Sequence, residues 1–261
     1  MTNQAWSPAY PPPSDEPMAE LDIPGPAAQR RWTILLRWLL LVPQYIVMAV
    51  LGIAVFVVTV VGWFAALVTG RLPDSIASFL AGYLVYETRV YAYSMLLVDA
   101  YPPFRFTAPE HPVQVEVRPG RLNRLAVLFR IILLIPAAIV ESVVLSGWYA
   151  ISFLIWLVAL ALGRMPNSLF EATAAAARYA MRLSAYVMML TPAYPKRLFG
   201  DERIAAEQTP TGTRPLRLST AARVLVVLFI VLGIGSYFFS GFGTSSDSSN
   251  DNSSRPVQVQ V

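Results

Sequence analysis

The chain has 261 residues, of which 56% are hydrophobic and only 14% charged, and its mean hydropathy is +0.52. Soluble domains carry roughly 25% charged residues, so this composition points to a membrane protein rather than a large aqueous core. There is no cysteine and only one histidine, His111, which excludes disulfides, thiolate chemistry, cysteine-held metals and a multi-histidine centre.

The net charge of +4 rests on arginines that flank apolar runs. That distribution suits headgroup contacts and membrane orientation, and it lacks the basic stripe of a nucleic-acid binder. Residues 1–19 are rich in proline and polar side chains and cannot bury enough apolar surface to offset the entropy of ordering. They are expected to form a disordered tail, and no signal-peptide pattern is present in them. Glu20 to Gly25 alternates polar and apolar residues, as does Val113 to Gly120. Period-two alternation closed by Pro-Gly predicts short strands that pair into a small surface sheet. Val257 to Val261 alternates in the same way, more weakly.

Residues 27–42 carry Arg30, Arg31, Trp32, Arg37 and Trp38. Their spacing predicts a basic amphipathic helix lying at the membrane interface, which Pro43 ends or kinks. Gln44 to Thr69 then runs 26 residues without a charge, and about 20 suffice to span a bilayer. Gly70-Arg71-Leu72-Pro73-Asp74 follows. Glycine can end the helix, arginine lies by its negative end, proline prevents continuation, and Asp74 can cap the next helix. A less apolar returning helix is predicted over about 75–98.

This unit is written twice. Arg31, Arg37, Pro43, Trp63, Gly70, Arg71, Pro73, Arg89, Tyr93, Tyr101 and Pro102 each recur 93 positions later, from Arg124 through Arg130, Pro136, Trp156, Gly163, Arg164, Pro166, Arg182, Tyr186 and Tyr194 to Pro195. The second apolar run, Ala137 to Leu162, carries Glu141 near its start, and its returning helix spans about 168–190. In that helix Glu171, Arg178 and Arg182 fall within one narrow arc. A polar basic linker over 201–220, a last span over 221–240 and a Ser/Asp-rich disordered tail over 241–261 complete the chain.

The fold class expected is an all-α integral membrane protein. It comprises two tandem helical-hairpin repeats (20–106 and 107–200) and a C-terminal single span, with basic interfacial helices and short surface strands. Five spans give parallel repeats; three spans, with the returning helices at the surface, give inverted ones. Arg105, Arg118, Arg121 and Arg124 in the connecting loop favour five, with that loop and the N-terminus cytoplasmic and the C-terminus extracytoplasmic.

The string Arg37 to Val47, with Trp63 to Pro73 and Tyr101-Pro102-Pro103-Phe104, resembles the bacterial membrane family catalogued as domain of unknown function 4389. The likeness covers roughly residues 20–200. The second copy departs at Ile131, at Tyr194-Pro195-Lys196, and in having Glu171 and Arg178. The resemblance implies a multi-pass protein of the bacterial plasma membrane and carries over no catalytic residue.

Ionisable residues well inside a membrane helix are functional candidates by default. Arg89 and Arg182 head the set, with Glu87, Glu171, Arg178, Tyr93 and Tyr186 beside them, as a lipid or inter-helix polar site. Arginine can hold a phosphate bidentately; the structural reading is pairing across helices or snorkelling to headgroups. No catalytic, cofactor or metal residue is expected. The expected partners are the lipid bilayer, anionic headgroups and a membrane protein. The function expected is a non-catalytic accessory or scaffold module; the alternative is a transporter subunit with its site between the repeats.

Overall fold

Each repeat folds as a short helix, a sharp one-residue turn, a long helix and a shorter helix that comes back along it. The computed structural model describes residues 19–117, 120–196, 198–199 and 218–243. Residues 1–18 and 244–261 of the expected tails, the latter including Val257 to Val261, and residues 201–217 of the expected linker over 201–220 lie outside the described residues. In chain order come β1 (Ala19–Asp22), α1 (Arg31–Leu35), α2 (Arg37–Thr69), α3 (Asp74–Ser94), β2 (Gln114–Val117), α4 (Arg124–Leu128), α5 (Arg130–Leu162), α6 (Asn167–Val187) and α7 (Thr220–Gly243).

The long helices begin earlier than proline suggested. Leu36 and Phe129, both near φ −90 and ψ 7, break the chain one residue before Arg37 and Arg130. Pro43 and Pro136 then sit inside continuous 33-residue helices. A proline near a helix start removes only one bond of the ladder, and neighbouring groups can re-satisfy what it frees. Arg37 is 2% exposed, so the expected interfacial helix over 27–42 does not exist as drawn. Gly70 and Gly163 end α2 and α5 at φ 72 and 67, the left-handed caps expected of them. Asp74 and Asn167 are first helical residues rather than caps; Pro73 and Pro166 hold the cap positions.

α2 and α5 are antiparallel, and the proof is reciprocal. Trp63 Nε1 donates to the Val127 carbonyl at 2.9 Å, and its repeat mate Trp156 donates to Ile34, the mate of Val127, at 2.9 Å. Leu122 N–H reaches the Gly70 carbonyl at 3.0 Å, and Gln29 N–H reaches Gly163 at 2.8 Å. The start of each long helix therefore lies at the end of the other, and a pseudo-two-fold axis relates the repeats. This corrects the parallel arrangement that the flanking charges favoured.

The molecule has three layers. α2, α5 and α7 form the first. α3 and α6 form the second, packed antiparallel on each other. The antiparallel pair β1–β2, with Ala19 opposite Val117, lies on the far side of α3 and α6. Residues 172–179 of α6 are all buried, and six of these eight are alanine or threonine, so neighbours approach on every side. α7 runs antiparallel to α5. A Cβ on Gly147 would run into the Phe229 carbonyl, and one on Gly233 into that of Val143. Such backbone proximity is how small residues hold apolar helices together.

Among the described residues, three helices are long and apolar enough to cross a membrane: Arg37–Thr69, Arg130–Leu162 and Thr220–Phe238. α3 and α6 are not among them. Ile53, Phe56 and Val68 of α2, and Ile131, Phe153 and Leu162 of α5, each keep more than half of their surface exposed.

Candidate functional site

The seven polar residues singled out by sequence fall into five separate places. Arg89 and Arg182 lie on the ribbon side of the central layer. Arg89 donates to the carbonyls of Phe106 at 3.0 Å, Ala108 at 3.1 Å and Val113 at 3.5 Å. It thereby fixes the irregular segment that leads into β2. His111 in that segment is buried, and its Nδ1 accepts from Val113 N–H at 3.2 Å. Burial, and then the nearby Arg89 charge, hold the His111 pKa below its ordinary value. Arg182 donates to both oxygens of Glu20 at 2.9 Å and to the Lys196 carbonyl at 3.2 Å, while Arg178 donates to Leu21 at 2.6 Å. Together they tie β1 to α6.

Glu171 is elsewhere again. Its Oε2 accepts from Ser219 N–H at 2.7 Å, just ahead of the first turn of α7. Tyr93 and Tyr186 lie under Arg37 and Arg130, whose guanidinium carbons sit 4.3 and 3.9 Å from the ring centroids. Arg37 also donates to the Tyr93 carbonyl at 2.7 Å, and Arg130 to the Tyr186 carbonyl at 2.7 Å. Those carbonyls are presented by helix ends in which Leu96 and Met189 adopt φ 64 and 58. A left-handed non-glycine residue costs on the order of 1 kcal/mol, accepted here by both repeats at the same position.

Glu87 stands apart, on the opposite side of α3 from Arg89. It lines a cavity of about 70 Å³ enclosed by α3, α5 and α6. Glu141, Tyr149, Thr88, Tyr91 and Ser184 line it too. Three repeat-related pairs face one another there: Glu87 with Ala180, Thr88 with Met181, and Tyr91 with Ser184. The pseudo-two-fold axis therefore passes through the cavity, but only one half supplies a carboxylate from its returning helix. Ser184 lies across the cavity from the Glu87 carboxyl, whose Oε2 atom is buried with no hydrogen-bond partner. Space for several waters beside such an oxygen allows the cavity to take a proton or a small cation.

The family described as Domain of unknown function (DUF4389) matches residues 31–105 and 124–198, one copy on each repeat. The chain belongs to this family. No curated protein and no solved structure shows a significant match to it. In this DUF4389 protein the matched stretches begin at α1 and α4 and end beyond the returning helices, so each holds one arginine–tyrosine pair.

Sequence reasoning missed Arg37, Arg130, Asp99 and Glu141 as members of polar clusters. The signal was present for two of them: arginine and tyrosine recur 56 residues apart in both repeats.

Proposed function

We propose that the chain is an integral protein of the bacterial plasma membrane, crossing it through α2, α5 and α7 with inverted repeats. Its N-terminus is cytoplasmic and its C-terminus extracytoplasmic. It acts as a non-catalytic accessory or scaffold module for a membrane partner. Arg30, Arg31, Arg164 and Arg223 lie at the end from which α2 and α7 start, against Arg71, Arg121 and Arg124 at the other, and this small excess supports that orientation.

One observation carries the module reading. The described residues of 99–117 and 120–122 hold no helix, and β2 is their one regular element, yet they reach from one end of the bundle to the other. Asp99 bonds Thr33 near the start of α2, Pro102 accepts from Gln44, Phe106 packs on Gly82, and Leu122 bonds Gly70 at the far end. Irregular backbone and open strand edges do not face lipid hydrocarbon; at that depth they are covered by protein or water. The same segment exposes Arg105 and Glu110, which pair with each other. The ribbon side is thus the docking side and the α2–α5 side meets lipid.

The test uses the absence of native cysteine. Glu110→Cys in native membranes should resist a membrane-impermeant maleimide, cross-link to a partner, and label fully after purification. Full labelling in native membranes would contradict the module reading.

The cavity favours a second reading, a transporter subunit, because inverted repeats with a carboxylate at their axis suit alternating access. Glu87→Gln should then abolish flux in proteoliposomes and leave assembly intact. Partner cross-linking that survives this substitution, with no flux in the native protein, favours the module.

A further inference from the structure

The two arginine–tyrosine pairs are equivalent in their cradle and unequal in their charge. In repeat 1 the Arg37 guanidinium, besides Tyr93, meets the Asp99 carboxylate at 3.5 Å and the Gln29 amide oxygen at 3.0 Å. Asp99 is itself held by the Thr33 hydroxyl and by Arg30 N–H at 3.3 Å. In repeat 2 the corresponding positions are Pro192 for Asp99, Leu122 for Gln29 and Ala126 for Thr33. Not one of these side chains can accept a hydrogen bond. Arg130 is nevertheless 5% exposed and has two carbonyls, Tyr186 and Thr191 at 2.7 and 2.6 Å, as its hydrogen-bond acceptors. Among the described residues no carboxylate pairs with it.

A buried guanidinium that lacks a counter-charge is costly, and the carbonyls offset only part of that cost. The position that Asp99 fills in repeat 1 is open to the outside, since its side chain keeps 22% of its surface. Pro192, its equivalent, is exposed. Arg130 also marks where α5 begins, and the next residues, Ile131 and Ile132, are 66% and 63% exposed. In the membrane arrangement proposed above, that is the depth of lipid phosphates.

We infer that Arg130 is a phosphate site, in which a phosphate oxygen beside Pro192 takes the place of the missing carboxylate. The planar fork of guanidinium suits this ligand. The inference rests on the membrane reading only for the source of the phosphate, an anionic headgroup rather than a soluble ion.

The experiment uses the full chain purified in a neutral detergent. Phosphatidylglycerol, inorganic phosphate and phosphate-free diacylglycerol are titrated in turn. Bound ligand is counted by native mass spectrometry, and the midpoint of thermal unfolding is followed in parallel. Phosphatidylglycerol should bind and raise the midpoint, and diacylglycerol should do neither. An equal response to inorganic phosphate supports the site and assigns it to a soluble ligand. Arg130→Gln should weaken binding about tenfold to a hundredfold, the loss expected for a charged hydrogen-bond partner.

Because that variant can fail to fold, Pro192→Asp is the sharper probe. It restores the carboxylate of repeat 1, so it should raise the unfolding midpoint without added phosphate and abolish the phosphate response. A native response in Pro192→Asp, or equal responses to phosphatidylglycerol and diacylglycerol, overturns the inference. A chain that is soluble without detergent overturns the membrane reading alone, and the inorganic phosphate arm then still decides the site.

Discussion

Asp99→Asn isolates the one acid that neutralises Arg37. The Arg37 side chain is 3% exposed, the Asp99 side chain 22%, and they are 3.5 Å apart. Coulomb attraction at that separation is about 5 kcal/mol with an effective dielectric near 20 and about 1 kcal/mol in water. One partner is buried and the other is at the rim, so the loss lies between those limits. Asparagine keeps one oxygen for Thr33 and gives up the second, so the 3.3 Å bond from the exposed Arg30 N–H is lost along with the charge. The expected destabilisation is about 2–3 kcal/mol, below the 3–5 kcal/mol of a fully buried pair broken on one side. Tryptophan fluorescence during denaturation in mixed micelles of mild detergent and dodecyl sulfate reads it. A change under about 0.5 kcal/mol, the size of an exposed pair, would refute the reasoning. A control substitution, Arg30→Gln, should cost little, since Arg30 is exposed.

Trp63→Phe and Trp156→Phe each remove one indole bond to the opposite repeat, at 2.9 Å in both cases, so each should cost about 1 kcal/mol in the same denaturation assay. Clearly unequal losses would argue against the two-fold relation. Gly147→Leu places a side chain against the Phe229 backbone, so a chain nicked within the linker over 200–217 should release its α7 fragment, which the native protein retains on affinity purification. Retention of the fragment would show that α7 is held elsewhere. Burial holds the His111 pKa below its ordinary 6.5 in the folded state. The unfolded chain therefore takes up the proton first, and stability should fall as pH drops below about 6.5. His111→Gln should flatten that dependence in thermal unfolding at pH 5 and pH 8; an unchanged slope would remove His111 as its source.

Much of the fold is legible in the residues. The 93-position repeat, the glycine-ended hairpins, the apolar long legs and the pairing of the two alternating segments all follow from spacing and turn chemistry. How the repeats face each other does not follow, because two identical units carry identical local signals in either orientation. The flanking-charge argument counted Arg121 and Arg124 as topology signals of a cytoplasmic loop. In the fold that loop climbs the bundle, and Leu122 reaches Gly70 at the far end of α2. Pro43 misplaced the helix start because the break at Leu36 has no residue signature of its own. Arg37 read as interfacial since its burial depends on Tyr93 and Asp99, some 60 residues away. For Arg89 the acceptors are backbone carbonyls, which no side-chain pattern announces. The cavity at Glu87 and Glu141 forms only once antiparallel repeats bring α3, α5 and α6 together.

Paired spin labels test the inverted arrangement most directly. A 33-residue helix is about 50 Å long. With labels at Arg31 and Arg164, which lie at one end of the bundle, electron–electron resonance should read a short separation, under about 25 Å. Labels at Arg31 and Arg124 should be about 40–50 Å apart, one helix length. The reverse pattern, with Arg31 close to Arg124 and far from Arg164, would mean parallel repeats and contradict the account.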